Sequence, residues 1–157
     1  MIEVVISCER FGEDVYGLGA QVIAWIRAVE RCAGPLLWFG ANRRWAPNPS
    51  YTTDDSFAAV PLGTTDDVVT GIPRDTQFEA GVWVAFRADG SPIELRAPEL
   101  DTEDDDPTSM GTAIFELRAF DTSFWLLASS VSGLVARVII EAPRLYLESP
   151  APRNGRA

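Results

Sequence analysis

A chain of 157 residues, 46% of them apolar, has the size and composition of one folded domain: too short for two comfortable cores and too apolar for a disordered chain. It carries a net charge of −10, no histidine, and only arginine among its 13 basic residues, which excludes histidine general bases, Schiff-base and Walker-type lysines and histidine metal sites. No run of about 18 apolar residues offers a membrane span and no signal-peptide pattern opens the chain, so a cytoplasmic protein without a membrane partner is expected.

Met1–Ser7 reads as a first strand with Ile2, Val4 and Ile6 on one face. Val15–Cys32 is expected to be a helix: Leu18, Val22, Trp25, Ile26 and Val29 follow i, i+4, i+7, i+8, i+11 spacing, and Gly34-Pro35 supplies the stop. Gly17-Leu-Gly19 lacks the third glycine of a dinucleotide fingerprint, so close helix packing explains it better. Cys8 and Cys32 are isolated, without Cys-x-x-Cys spacing, and are expected to be reduced packing residues. Leu36–Gly40 is a short strand. The breaker-rich stretch Ala41–Ser56, with Trp45, Tyr51, Asp54 and Asp55, reads as a long loop, either a binding element or one pinned to the core by its aromatics.

Phe57–Leu62 suggests another short strand, and Thr64-Thr65-Asp66-Asp67 a helix start with its acids at the positive end of the dipole. Gly81–Arg87 is a strand, and Asp89-Gly90 reads as a hairpin turn into Ile93–Arg96. The acidic run at 101–106 comes next. Ala113–Ala128 then forms a hairpin around Asp121-Thr122-Ser123, with Phe115, Leu117 and Ala119 on an apolar face. On the other face Glu116 and Arg118 lie between Ile114 and Phe120, which suggests either an edge-facing surface or a covered ion pair. Phe124–Leu127, apolar on both faces, should be a central strand covered by helices. Ser129-Ser130 can cap a last element, Val131–Ile140, read as helix. Residues 1–147 make one domain, and 148–157 is expected to be a disordered tail.

Charge is unevenly placed. Residues 51–110 hold fourteen acids against three arginines, whereas 1–50 hold five of each and 111–157 four against five. A basic footprint for direct nucleic-acid binding is missing. Asp101, Glu103 and Asp105 alternate like the first ligands of a calcium loop, but Asp106 stands where glycine is required, Pro107 follows, and Thr112 replaces the bidentate glutamate. No Gly-x-Ser-x-Gly, Walker A or metallohydrolase pattern occurs, and nothing in the spacing singles out a carboxylate pair such as Glu79 and Glu94. No cofactor, no metal and no enzymatic activity are expected.

Gln77–Phe86, QFEAGVWVAF, followed by Glu116–Ser123, ELRAFDTS, resembles a pattern in small bacterial proteins of the immunity type, over roughly Leu37–Val138. The resemblance implies an α+β fold and a cognate protein toxin, neutralised by binding. Acidic clusters suit a basic active-site cleft. The partner-binding candidates are Asp101, Glu103, Asp104, Asp105 and Asp106, with Asp54, Asp55 and Trp45, and with Asp66 and Asp67 as a possible extension. The expected fold is a single α+β domain, mainly an antiparallel sheet of five or six strands with two or three helices packed on it. Two other functions stay open: a carboxylate-dependent enzyme or small-ligand binder with a pocket near Trp45 or Trp83, and a phage-type inhibitor that mimics nucleic acid.

Overall fold

The computed structural model describes residues 2–11, 19–45, 56–103, 110–120 and 123–148. They form an α+β domain with one antiparallel sheet of β1 (Ile2–Ser7), β2 (Leu36–Trp45), β3 (Val60–Thr64), β4 (Phe78–Arg87), β5 (Phe115–Phe120) and β6 (Phe124–Ser129). The strand order is β1-β6-β5-β4-β2-β3. Three helices, α1 (Gly19–Ala33), α2 (Thr65–Thr70) and α3 (Leu134–Glu148), complete the fold.

The predicted hairpin is the middle of this sheet: β5 pairs with β6 from Phe115↔Ser129 to Phe120↔Phe124, and both are interior strands. Period-two alternation sends Phe115, Leu117 and Ala119, with Trp125 and Leu127 of β6 and Trp83 and Ala85 of β4, into one core. The stripe Val22, Trp25, Ile26 and Val29 of α1 closes over it, as does Leu134, Val135, Val138 and Ala142 of α3. Each fully buried large side chain there contributes about 1.5–3 kcal/mol. Ile114 departs from the alternation: it precedes β5 and joins the helix-side core instead of the Glu116 face.

α1 is described from Gly19, where the backbone is pressed against the 73–76 turn. A Cβ on Gly19 would lie 1.8 Å from the Pro73 carbonyl oxygen, and the Gly19 N–H donates to Thr76 O at 3.0 Å. Close packing is therefore what this glycine serves; Gly17 and Leu18 lie outside the described residues. α2 is capped as its sequence indicates: Asp67 N–H donates to Thr64 Oγ1 at 3.3 Å, Thr64 N–H donates to Asp67 Oδ2 at 2.8 Å, and Gly71 ends the helix.

Four expectations are corrected. β2 continues to Trp45 instead of ending at Gly40, since its pairing with β4 accommodates the polar residues through register shifts between Ala41 and Trp45. The strand expected at 57–62 sits at Val60–Thr64. The hairpin at Asp89-Gly90 does not form: Ile93–Arg96 is not a strand, the Asp89 carboxylate caps its own turn by accepting from Ser91 N–H, and β4 pairs instead with β5. The last helix lies at 134–148 instead of 131–140. It passes through Pro143 because Leu145 and Tyr146 extend its core contacts, and the serines before it do not cap it. They staple the start of β5: Ser129 Oγ donates to Ile114 O at 2.6 Å and Ser130 Oγ to Ala113 O at 2.9 Å.

Candidate functional site: the loop-covered face of the sheet

The helices cover one face of the sheet. Much of the other is covered by the described parts of the long β4–β5 connection, residues 88–103 and 110–114, whose Leu100 and Met110 bury beside Val82, Val84 and Phe86 of β4 and Leu126 and Ala128 of β6. Those two side chains hold the connection against the sheet before and after the acidic run. Hydrogen bonds do the rest: Leu100 N–H donates to Phe57 O at 2.7 Å, Ala59 N–H to Pro98 O at 3.1 Å, and Thr112 N–H to Glu94 O at 3.0 Å. Thr112 Oγ1 also donates to Pro92 O at 2.8 Å and accepts from Glu94 N–H at 2.9 Å. The segment is a strap with defined anchor points.

Asn42 is one anchor. It is buried and holds a left-handed backbone at φ 47°, a conformation asparagine tolerates better than most residues, where β2 shifts register. From there its Nδ2 donates to Thr102 Oγ1 at 3.3 Å and Asp101 Oδ1 at 3.5 Å. Asp101 Oδ1 also accepts from Glu103 N–H at 3.1 Å, which shapes the first turn of the acidic run.

Beneath the strap lies the covered ion pair that the Glu116–Arg118 spacing allows. Both side chains are 1% exposed, and Arg118 Nε donates to Glu116 Oε1 at 2.6 Å. A third member was not legible in the strand pattern: Arg96, from the connection, donates through Nε to Glu116 Oε2 and through Nη2 to Oε1, each at 3.3 Å. The edge-facing alternative is excluded. Val84 and Ala128 flank Glu116, and Val82 and Leu126 flank Arg118, so the charges sit in an otherwise apolar layer.

This arrangement sets the charge of the outer surface. Residues 88–114 contain eight acids and one arginine, and that arginine points inward to Glu116. Asp89, Glu94, Glu99 and Glu103 are exposed and Asp101 is half-buried. Of the predicted partner-binding residues, Asp101 and Glu103 are therefore on this strap, while Asp104, Asp105, Asp106, Asp54 and Asp55 lie outside the described residues. The backbone of Trp45 ends β2, paired with Phe78. Glu94 and Glu99 are members that the sequence reading did not include. Asp66 and Asp67 belong to the helix layer instead, Asp66 paired with Arg27 of α1 and Asp67 engaged in the α2 cap.

Of the two places where a pocket is expected, Trp83 has none: the ring is fully buried, covers Gly81 and meets Phe78 edge-on at 4.9 Å, while the Trp45 side chain lies outside the described residues. An open groove of about 360 Å³ lies elsewhere, with Ile23, Val69 and Leu145 in its apolar lining and Arg27, Arg74 and Glu148 around them. Among the described residues its lining holds a single carboxylate, not a convergent pair. Among the described residues no group of three or more His, Cys, Asp or Glu side chains is placed to hold a metal ion, and no helix is long and apolar enough to cross a membrane.

Both cysteines are free thiols, as expected. Burial pushes the Cys8 thiol up to about 11 and raises that of Cys32, which keeps both protonated near neutral pH. No family model, no curated protein and no solved structure matches this chain.

Proposed function

We propose that this chain is an immunity-type protein that binds and inhibits a cognate bacterial toxin, presenting the acidic strap to a basic active-site cleft. The single observation that carries the reading is the strap itself. The described parts of an acidic segment, residues 88–103 and 110–114, are pinned across a sheet face by Leu100, Met110 and Asn42, with their one arginine turned inward. Pinned acids offer a partner a prepared negative surface and spare part of the ordering cost of binding, while their field speeds encounter with a positive cleft. The resemblance of Gln77–Phe86 and Glu116–Ser123 to immunity proteins supports the same reading, as does the lack of histidine and lysine chemistry.

The test is co-purification with, and inhibition of, toxins encoded beside the gene. A stoichiometric complex that silences the toxin is the expected result; no binding to any of them would reject the reading. A complex that keeps its affinity and association rate after Asp101, Glu103, Asp104, Asp105 and Asp106 are all changed to their amides would instead remove the strap from the interface.

A further inference from the structure

The two edges of the sheet are built differently. β3, at one edge, contains Pro61 and a left-handed Gly63 at φ 95°, its register with β2 shifts at Trp38/Phe39, and α2 follows it at once. Proline, irregular register and short length are devices that stop a strand from recruiting another. β1, at the other edge, is only one residue longer but has neither the proline nor the irregular register. Its six residues, IEVVIS, include no proline or glycine and keep unbroken register with β6 from Ile2↔Ser129 to Ser7↔Phe124. Among the described residues no strand pairs with its outer side.

The direction of its backbone groups follows from one bond. Cys8 N–H donates to Ser123 O at 2.9 Å, one step beyond the β1–β6 register. Alternation then turns the N–H and C=O of Ile2, Val4 and Ile6 towards β6 and those of Glu3, Val5 and Ser7 outward. The Val5 side chain is 57% exposed, and Val4 and Ile6 are only partly buried against the helix-side core.

We propose that β1 pairs antiparallel with β1 of a second copy of this chain about a two-fold axis at Val5, joining two six-stranded sheets into one. In that register Val5 opposes Val5, Val4 opposes Ile6, and Glu3 opposes Ser7. Apolar residues meet on both faces and no carboxylate faces another. A two-residue slip would set Glu3 against Val5. The outward groups of Glu3, Val5 and Ser7 also become directly opposed hydrogen-bonded pairs. A strand that complements itself under a two-fold axis fits a second copy better than a foreign strand. Charge agrees: the edge is built from segments 1–50 and 111–157, whose acids and arginines nearly balance, while the acidic excess lies in 51–110. The proposal does not depend on the toxin reading.

Sedimentation velocity over a concentration series tests it, with hydrogen exchange on the same samples. The wild type is expected to form a species of twice 17.2 kDa as concentration rises. Val5→Pro, which removes an outward N–H and leaves the β6 ladder intact, and Val5→Lys should keep the wild-type circular dichroism and remain monomeric. The amides of Glu3, Val5 and Ser7 should gain protection with concentration while that of Ile6 is protected throughout. A monomer at every concentration, a dimer untouched by both folded variants, or outward amides that never gain protection would overturn the proposal. If neither variant folds, the wild-type exchange pattern decides it.

Discussion

The two faces of the sheet are covered by different means. On the helix side, α1 and α3 lay apolar stripes over Trp83, Leu117, Trp125 and Leu127. On the other side an irregular strap does the covering, and it encloses a buried Arg96–Glu116–Arg118 cluster among apolar neighbours. Regular elements satisfy their own backbone groups. An irregular cover has to satisfy them one by one, through the Thr112 hydroxyl, the Phe57 carbonyl and the Ala59 N–H. The first face is mainly apolar and serves stability; the second encloses an ion cluster and leaves its outer surface free to carry charge.

The largest effect should come from adjacent residues on opposite faces of β5. Glu116→Gln takes away the carboxylate that two largely buried guanidinium groups share and is expected to destabilise the fold by about 3–5 kcal/mol. Leu117→Ala opens a cavity on the helix side and should cost about 2–5 kcal/mol. Urea unfolding of both variants checks the comparison; a Glu116→Gln protein as stable as the wild type would show that the strap face does not depend on its ion cluster.

Asn42 separates anchoring from folding. Asn42→Gly keeps the left-handed backbone but loses the bonds to Asp101 and Thr102, so proteolysis near the strap should accelerate while unfolding free energy falls by only about 1 kcal/mol. Asn42→Ala adds roughly 1–2 kcal/mol for the left-handed backbone. Equal proteolysis of wild type and Asn42→Gly would mean the strap is held elsewhere.

Smaller still is the α2 cap, which lies in the helix layer. Thr64→Ala should cost about 1 kcal/mol. Hydrogen bonds from the Thr64 backbone and then its hydroxyl lower the Asp67 carboxyl below its ordinary 3.8. The cap's contribution is thus fully present above that ordinary value and is lost as pH falls through the lower folded value. The acid limb of stability for Thr64→Ala should be correspondingly shallower than that of the wild type.

The Cys8 thiol gives the mildest contrast. Raised from 9.0 to about 11 by burial, it should resist thiol reagents at pH 8 in the native state and contribute a loss of stability only as pH climbs from about 9 towards 11. Rapid native labelling of Cys8 would contradict that.

Legibility in the sequence followed the same division. The hairpin, the α1 stripe and the α2 cap were readable because period two, period 3.6 and capping chemistry are local. The strap was not. Asp89-Gly90 is a sound turn signal, but where the chain goes after it is decided by Leu100 and Met110 finding the far face of the sheet, and sequence spacing does not encode that contact. Arg96 was hidden for the same reason, twenty residues from the carboxylate it meets. Asn42 sat in a stretch read as loop because its left-handed backbone matters only within the β2–β4 register shift. The acidic bias of the candidate surface was visible as composition; its anchoring was not.

The central claim is that the pinned acidic strap steers this chain to a positively charged partner. Its most direct measurement is the association rate constant with a toxin that co-purification has shown it to bind, taken over a salt series for the wild type and for the variant with amides at 101 and 103–106. The rate should fall steeply with salt for the wild type and be slower and nearly salt-independent for the variant. Equal rates with equal salt dependence would contradict the account.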